Sequence, residues 1–237
     1  MNEKAFLATY DSKQFDIPLL SVDAVLFTYH NNALKVLLVE RANHPDMGKW
    51  ALPGGFVDIL QDASLDDTVN RKLAEKTGVK PPYIEQLNSV GNNARDKRGW
   101  SVTICYSALI AHQICEAKIN SVSDAQWVSI DTLDGMNLAF DHRQLIESGQ
   151  QRLKQKALYS IVPAYALPES FTLSELQQLH EALIGKPIQK KSFRRRIAMA
   201  NLLIDTGEKL TDRGRPASLY RLKETTSEFT FIRNLEC

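Results

Sequence analysis

The sequence predicts a mixed α/β body of about 150 residues joined to a smaller, basic unit of two helices and a hairpin. Two observations carry this reading. Strand-like apolar runs, a helical pattern and glycine-rich turns alternate up to about residue 150, whereas two short helical patterns and a hairpin pattern follow the prolines Pro163 and Pro168. The charge divides at the same place. The chain of 237 residues has a formal net charge of +1, yet residues 1–150 hold 14 Lys and Arg against 19 Asp and Glu, and residues 151–237 hold 15 against 9. An acidic body and a basic unit in one chain point to two tasks, the basic one facing phosphates. Domains of residues 1–150 and 151–237 are therefore expected.

The body begins with a strand over 17–29, turns at Asn31-Asn32 and returns over 34–39, an expected hairpin. A loop with Pro45, Gly48, Pro53, Gly54 and Gly55 leads to Ser64, which opens a helix in a capping-box arrangement with Asp67. That helix is expected to reach Thr77 and to end at Gly78. Strands are expected over 83–90, 102–110 and 125–130, with a charged turn at 93–99, and a helix from Phe140 to about Tyr159. Beyond the prolines, Thr172 caps a helix over 173–184 that Gly185 and Pro187 end, and a second helix starts near Gln189. A hairpin over 202–206 and 217–222 completes the chain. Helix, turn, helix, hairpin, all basic, is the order of a winged helix-turn-helix.

Composition removes several classes. The 43% apolar content suffices for a core, and no apolar run approaches the ~20 residues that span a bilayer. Met1-Asn2-Glu3-Lys4 leads into no long apolar segment, so no signal peptide is expected. Cys105, Cys115 and Cys237 are odd in number and lack metal-ligand spacing, which predicts a reducing cytoplasm and no zinc site.

Residues 54–79 carry the first chemistry-bearing pattern, a glycine pair leading into a helix with Arg71, Leu73, Glu75, Gly78 and Val79 in fixed order. The stretch resembles the Nudix box, with two extra residues between the glycine loop and the helix. Flanking stretches agree: 49–55 before it, and Arg95-Asp-Lys-Arg-Gly-Trp100, which looks like the corresponding segment of ADP-ribose pyrophosphatases. The resemblance implies an α/β/α sandwich around a mixed sheet. In active Nudix hydrolases the helix presents glutamates at i, i+3 and i+4, on one face, to hold Mg²⁺ against a diphosphate. Here those positions are Lys72, Glu75 and Lys76. Ammonium groups repel the cation by several kcal/mol each at an effective dielectric of about 20. The expectation is a ligand-binding domain with no catalytic residues, no metal and no required cofactor, in which the lysines serve as counter-charges to a diphosphate. Asp58, Gln61 and Asp62 are the residues from which a displaced metal site would have to be built. Gly54, Gly55, Lys72, Glu75, Lys76, Arg95, Asp96, Arg98 and Trp50 are the expected effector-binding residues, with Trp100 also positioned to pack on a base or sugar.

The second pattern is Gln189 to Ile204. Phe193, Ile197, Ala200 and Ile204 recur on one helical face, and Lys191 and Arg195 point away from it, flanked by Arg194. An apolar back and a cationic front suit a helix lying in a major groove. The expected DNA-binding residues are Lys190, Lys191, Ser192, Arg194, Arg195 and Arg196, joined by Arg213 and Arg215 of the hairpin loop, where Arg-Gly-Arg-Pro matches the core of minor-groove AT-hooks.

A degenerate Nudix-like domain followed by a winged helix resembles the Nudix-related transcriptional regulators of NAD metabolism, the NrtR type, from about Asp16 to Leu222. Asn137-Leu-Ala-Phe-Asp-His142 and Ser192-Phe-Arg-Arg-Arg196 also look like that family. The resemblance implies a cytoplasmic, dimeric repressor of NAD-biosynthesis or salvage genes, released from palindromic operator DNA by ADP-ribose. The alternative is an active ADP-ribose pyrophosphatase with an accessory nucleic-acid-binding domain.

Overall fold

The computed structural model describes residues 2–115, 119–211 and 216–223. A short helix α1 (Glu3–Thr9), unannounced by the sequence pattern, precedes a seven-stranded sheet. Its strands are β1 (Leu19–His30), β2 (Ala33–Arg41), β3 (Trp50–Ala51), β4 (Gly54–Phe56), β5 (Tyr83–Asn92), β6 (Ser101–Leu109) and β7 (Val122–Ser129). The path runs β3-β2-β1-β6-β5, with β4 added to β1 and β7 to β2. Only β1 and β6 run parallel among these pairs, so the sheet is mixed. Asn31 and Asn32 both take positive φ, 52° and 57°, the geometry that a two-residue hairpin demands.

Alternation along β1 builds both layers of the body. Val22, Ala24 and Leu26 face one way and pack with Val69 and Leu73 of α2 (Leu65–Thr77). Val25 and Phe27 face the other and pack with Leu145, Ile146 and Leu153 of α3 (His142–Tyr159). Gly149 lets α3 sit directly on β1, since a Cβ there would lie 3.0 Å from Val25 Cγ1 and 3.2 Å from Phe27 Cε2.

α2 starts and stops where its residues dictate. Ser64 Oγ accepts from Asp67 N (3.1 Å), and Gly78 ends it in the left-handed region. The expected capping box is incomplete: the Asp67 carboxylate takes the Ser64 hydroxyl (2.9 Å). A full box stands at Thr172 and Glu175, opening α4 (Leu173–Ile184).

α3 continues past residue 150 to Tyr159 and joins the body to the second unit. That unit holds α4, α5 (Lys190–Ala200) and a three-stranded sheet in the order β8 (Phe171–Thr172), β10 (Ala217–Leu222), β9 (Leu203–Leu210). The two-residue strand β8 carries no sequence pattern of its own. Phe171, Leu176, Leu179, Phe193 and Ile197 belong to the same buried cluster as Val25 and Phe27, so one core runs through both units. Ile204 departs from the expected helical face. Asn201 turns the chain into the left-handed region (φ 52°), which ends α5 and places Ile204 in β9.

Candidate effector cavity and nucleic-acid interface

A cavity of about 340 Å³ opens where β1, β4, α2, the 93–99 turn and the start of α3 meet. The glycine loop makes room for it. At Gly54 a Cβ would collide with the Asp23 carboxylate and the Val22 carbonyl, and at Gly55 it would lie 3.1 Å from Cδ and Cε of Lys72. The Lys72 stem therefore lies across bare backbone.

Of the residues expected at an effector site, Gly54, Gly55, Lys72, Lys76, Arg95, Asp96 and Arg98 line this cavity. Arg41 adds a further guanidinium, and Asp23, His44 and His142 complete the ionisable lining. Cations outnumber anions, which suits a diphosphate. Glu75 stands one step back: its Oε2 accepts from Lys72 Nζ (3.1 Å) and its Oε1 from Arg71 (3.0 Å). Trp50 does not line the cavity. It sits in β3, bonded through its backbone to Asn137 and Ala139, with its ring against the core. Trp100 is half-exposed on a separate groove beside Ile17 and Pro18.

The 93–99 turn is built rather than loose. Arg95 and Asp96 are buried. Arg95 gives Nε and Nη2 to the two oxygens of Asp141 (3.0 and 2.9 Å), and Nη2 stands 3.6 Å from Asp23 Oδ2. Arg98 forks onto Asp96 and lies over the Phe56 ring, 4.8 Å from its centroid.

Asp23 is a carboxylate on an apolar strand. Thr103 Oγ1 donates to it (2.7 Å), and His142 Nε2 lies 3.6 Å away. Leu52 N–H donates to His142 Nδ1 (2.9 Å), which leaves the ring proton of the neutral imidazole on Nε2, toward Asp23. Burial lowers the His142 pKa against the pull of Asp23 and Asp141. Asp23, Arg41, Asp141 and His142 were not among the expected effector residues. Their signal in sequence is thin: one acid within Val22-Asp23-Ala24-Val25, one arginine ending a strand, and the Asp141-His142 pair of the junction motif.

Lys76 has no hydrogen bond or ion pair to any described residue. Burial lowers its pKa to about 8, with Arg41 and Lys72 pushing the same way and Asp23 and Glu75 opposing.

The face of α2 does not fit a divalent cation. Lysines stand at two of the three positions, and both oxygens of Glu75 are held by cations. Asp62 and Asp58 supply no replacement. Asp62 accepts from Arg71 Nε (2.7 Å), Thr68 (2.8 Å) and Asp58 N (2.9 Å), and Asp58 accepts from Leu60 N and from the Gln61 side chain. Among the described residues no group of three or more His, Cys, Asp or Glu is arranged to hold a metal ion. No helix among them is long and apolar enough to cross a membrane.

In the second unit, Phe193 and Ile197 hold α5 to the core, and Phe193 meets the His180 ring edge-on at 5.4 Å. The turn before α5 is pinned by Gln177, whose amide donates to Glu181 (2.9 Å) and to Ile188 O (2.9 Å), and by Ile188 N, which donates to Glu181 (2.8 Å). Gln189 caps α5 by accepting from Ser192 N (3.2 Å). Lys190, Lys191, Arg194, Arg195 and Arg196 are all exposed, with Lys191 and Arg195 on the side away from the core, and Ser192 is partly buried. Arg213 and Arg215 lie outside the described residues.

Comparison with known proteins agrees with both halves. Residues 18–148 match the family described as NUDIX domain, and residues 163–222 match the family described as NrtR DNA-binding winged helix domain. The chain is 41% identical over 235 residues to the ADPR responsive transcriptional repressor NtrR of Acinetobacter baylyi, spanning 99% of this chain and 94% of that protein. The crystal structure of Shewanella oneidensis NrtR complexed with a 27mer DNA superposes with a TM-score of 0.85 at 64% identity, covering 92% of this chain and 99% of that one. The NUDIX domain of the same Shewanella protein complexed with ADP ribose matches with a TM-score of 0.63 at 61% identity, over 65% of this chain and 99% of that one.

Proposed function

Since this chain belongs to the NrtR family of Nudix-domain proteins with a DNA-binding winged helix, we propose that it is a transcriptional repressor released from its operator by ADP-ribose. The observation that carries the reading is the pairing of a cationic cavity with an exposed cationic helix through one continuous core. In this reading residues 1–150 bind the effector and residues 151–237 bind DNA. The regulated genes are those of NAD biosynthesis or salvage, and the protein acts in the cytoplasm.

Within the cavity, Arg95, Arg98, Lys72 and Lys76 meet the diphosphate, with Asp96, Glu75 and Trp50 holding the surrounding frame and Gly54 and Gly55 giving access. Lysines on the α2 face remove the site for Mg²⁺, so the protein holds ADP-ribose without cleaving it and needs no metal. The alternative, an active ADP-ribose pyrophosphatase, requires an acidic face that α2 does not present.

Lys190, Lys191, Ser192, Arg194, Arg195 and Arg196 enter the major groove, with Arg213 and Arg215 on the hairpin loop. One winged helix reads few base pairs, so a homodimer on a palindrome follows from the size of the reading head. An effector must favour the DNA-free form; equal binding to both forms shifts nothing.

The test is operator binding, on DNA selected by the purified protein, with and without ADP-ribose. At least about tenfold weakening is expected, a coupling of about 1.4 kcal/mol or more. An unchanged affinity refutes the reading.

A further inference from the structure

We infer that α3 carries the effector signal to the DNA-binding unit, and that Asp141 is its switch, held by Arg95 in the free protein and released when a ligand phosphate takes that guanidinium. The inference rests on the effector reading above and goes beyond it to the route.

At its start, α3 is stitched to the cavity wall. Asp141 occupies the N-cap position, yet its side chain caps nothing; both oxygens are committed to Arg95. The next residue, His142, accepts from Leu52 N and faces Asp23. An uncapped helix leaves N–H donors of its first turn without a side-chain acceptor. Asp141 is therefore a carboxylate with two possible partners, the Arg95 guanidinium or the first turn of its own helix. Arg95 likewise has an alternative to Asp141 besides its longer contact with Asp23, since it lines the cavity where the diphosphate is expected. Exchange of one ion pair for another is a two-state event, which is what a switch requires.

At its other end, α3 is tied to the DNA-binding unit. His180 Nδ1 of α4 donates to Ala157 O (2.9 Å), inside the shared core. Lys156 bonds Glu85 (2.7 Å) and the Tyr83 hydroxyl (3.0 Å), and Tyr83 stacks on Tyr165 of the connecting segment at 5.3 Å. Eighteen helical residues span about 27 Å. A tilt or shift at Asp141 thus reaches α4, the helix against which α5 packs.

Asp141 is a positioning residue, and its test separates binding from transmission. Full-length Asp141→Asn is titrated with ADP-ribose by calorimetry, and its operator affinity is measured with and without saturating ADP-ribose. The expected result is ADP-ribose binding at least as tight as in the wild type, because Arg95 is no longer competed for, with operator weakening reduced from tenfold or more to less than about threefold. Asp141→Glu, which keeps the carboxylate, should restore most of the ratio. A variant ratio equal to that of the wild type overturns the inference while the functional reading stands. A wild-type operator affinity that ignores ADP-ribose overturns both. Hydrogen exchange on the wild type gives a reading free of substitutions. ADP-ribose should change protection across 142–146 and 173–184, and a change confined to the cavity loops overturns the inference.

Discussion

Arg71 and Asp62 form a two-pronged ion pair across the loop that carries the two extra residues, Nε to Oδ1 at 2.7 Å and Nη2 to Oδ2. Thr68 and the backbone of Asp58 close on the same carboxylate. Asp62 thus anchors the inserted loop to α2. The hydrogen bonds from Arg71 hold its carboxyl well below the ordinary value of 3.8. A depressed carboxyl contributes stability above its unfolded pKa and loses it as pH falls. Asp62→Asn should melt several degrees below the wild type near neutral pH, and the gap should shrink as pH drops below about 4. Thermal melts of both proteins across that range check it; a gap independent of pH would assign the loss to packing.

Lys76 should make ADP-ribose binding dependent on pH. Burial brings its pKa to about 8 in the free protein, and a diphosphate alongside raises it again. Affinity should be level below about pH 7 and fall toward tenfold per unit as pH rises past 8. In the free protein the sign reverses. The unfolded chain keeps the proton up to 10.5 and the folded one only to about 8, so this group adds stability as pH rises through that window. Calorimetry near pH 8 in buffers of different ionisation enthalpy should show proton uptake that Lys76→Met abolishes. Zero uptake by the wild type would place the diphosphate away from Lys76.

Helix ends, the Asn31-Asn32 turn and the winged-helix order were legible because each rests on local chemistry: Ser64 and Thr172 as caps, Gly78 and Gly185 as stops, asparagines that tolerate positive φ. Strands β3, β4 and β8 were not, being two or three residues long with no room for a period. Lys72, Lys76, Arg95 and Arg98, the cations that line the cavity with Arg41, were legible from the glycine loop, the helix after it and the charged turn. Asp23, Arg41 and His142 were not, because they converge from β1, β2 and α3, and only the folded sheet brings them together. Trp50 misled through its place beside the glycine pair; β3 turns its ring to the core. Ile204 kept helical spacing past Asn201, where the helix had already ended.

Catalysis should be absent and hard to restore. With Mg²⁺, the wild type should release no phosphate-containing product from ADP-ribose above a metal-stripped control. Lys72→Glu/Lys76→Glu restores the acids, but Arg71 and Asp62 still lock the loop that carries the two extra residues, so turnover should remain slight. Robust hydrolysis by the wild type would return the chain to the pyrophosphatase reading.

A substitution at Phe193 should separate holding α5 in place from touching DNA. It is buried against His180 and makes no surface. Phe193→Ala should cost ~3–5 kcal/mol of stability. Operator binding should fall with it, while ADP-ribose affinity of the folded fraction stays within twofold. Denaturant melts and calorimetry on one preparation decide this.

The exposed face of α5 should divide into base-reading and phosphate-holding residues. Arg195 points away from Phe193 and Ile197, and its fork can take guanine O6 and N7 together. Arg195→Ala should cost ~1–3 kcal/mol on the selected operator and relax preference at one base position. Lys190 stands at the first turn, where a flexible ammonium serves a phosphate. Lys190→Ala should weaken all sequences alike and lower the salt slope by about one unit. These signatures differ in kind, so affinity alone does not suffice; each variant needs a salt series and a panel of single-base operators. Arg195→Ala with an unchanged base preference and a lowered salt slope would make it a phosphate contact and move the reading head to Lys191 or Arg194. If both variants bind the operator as the wild type does, α5 does not lie in the groove.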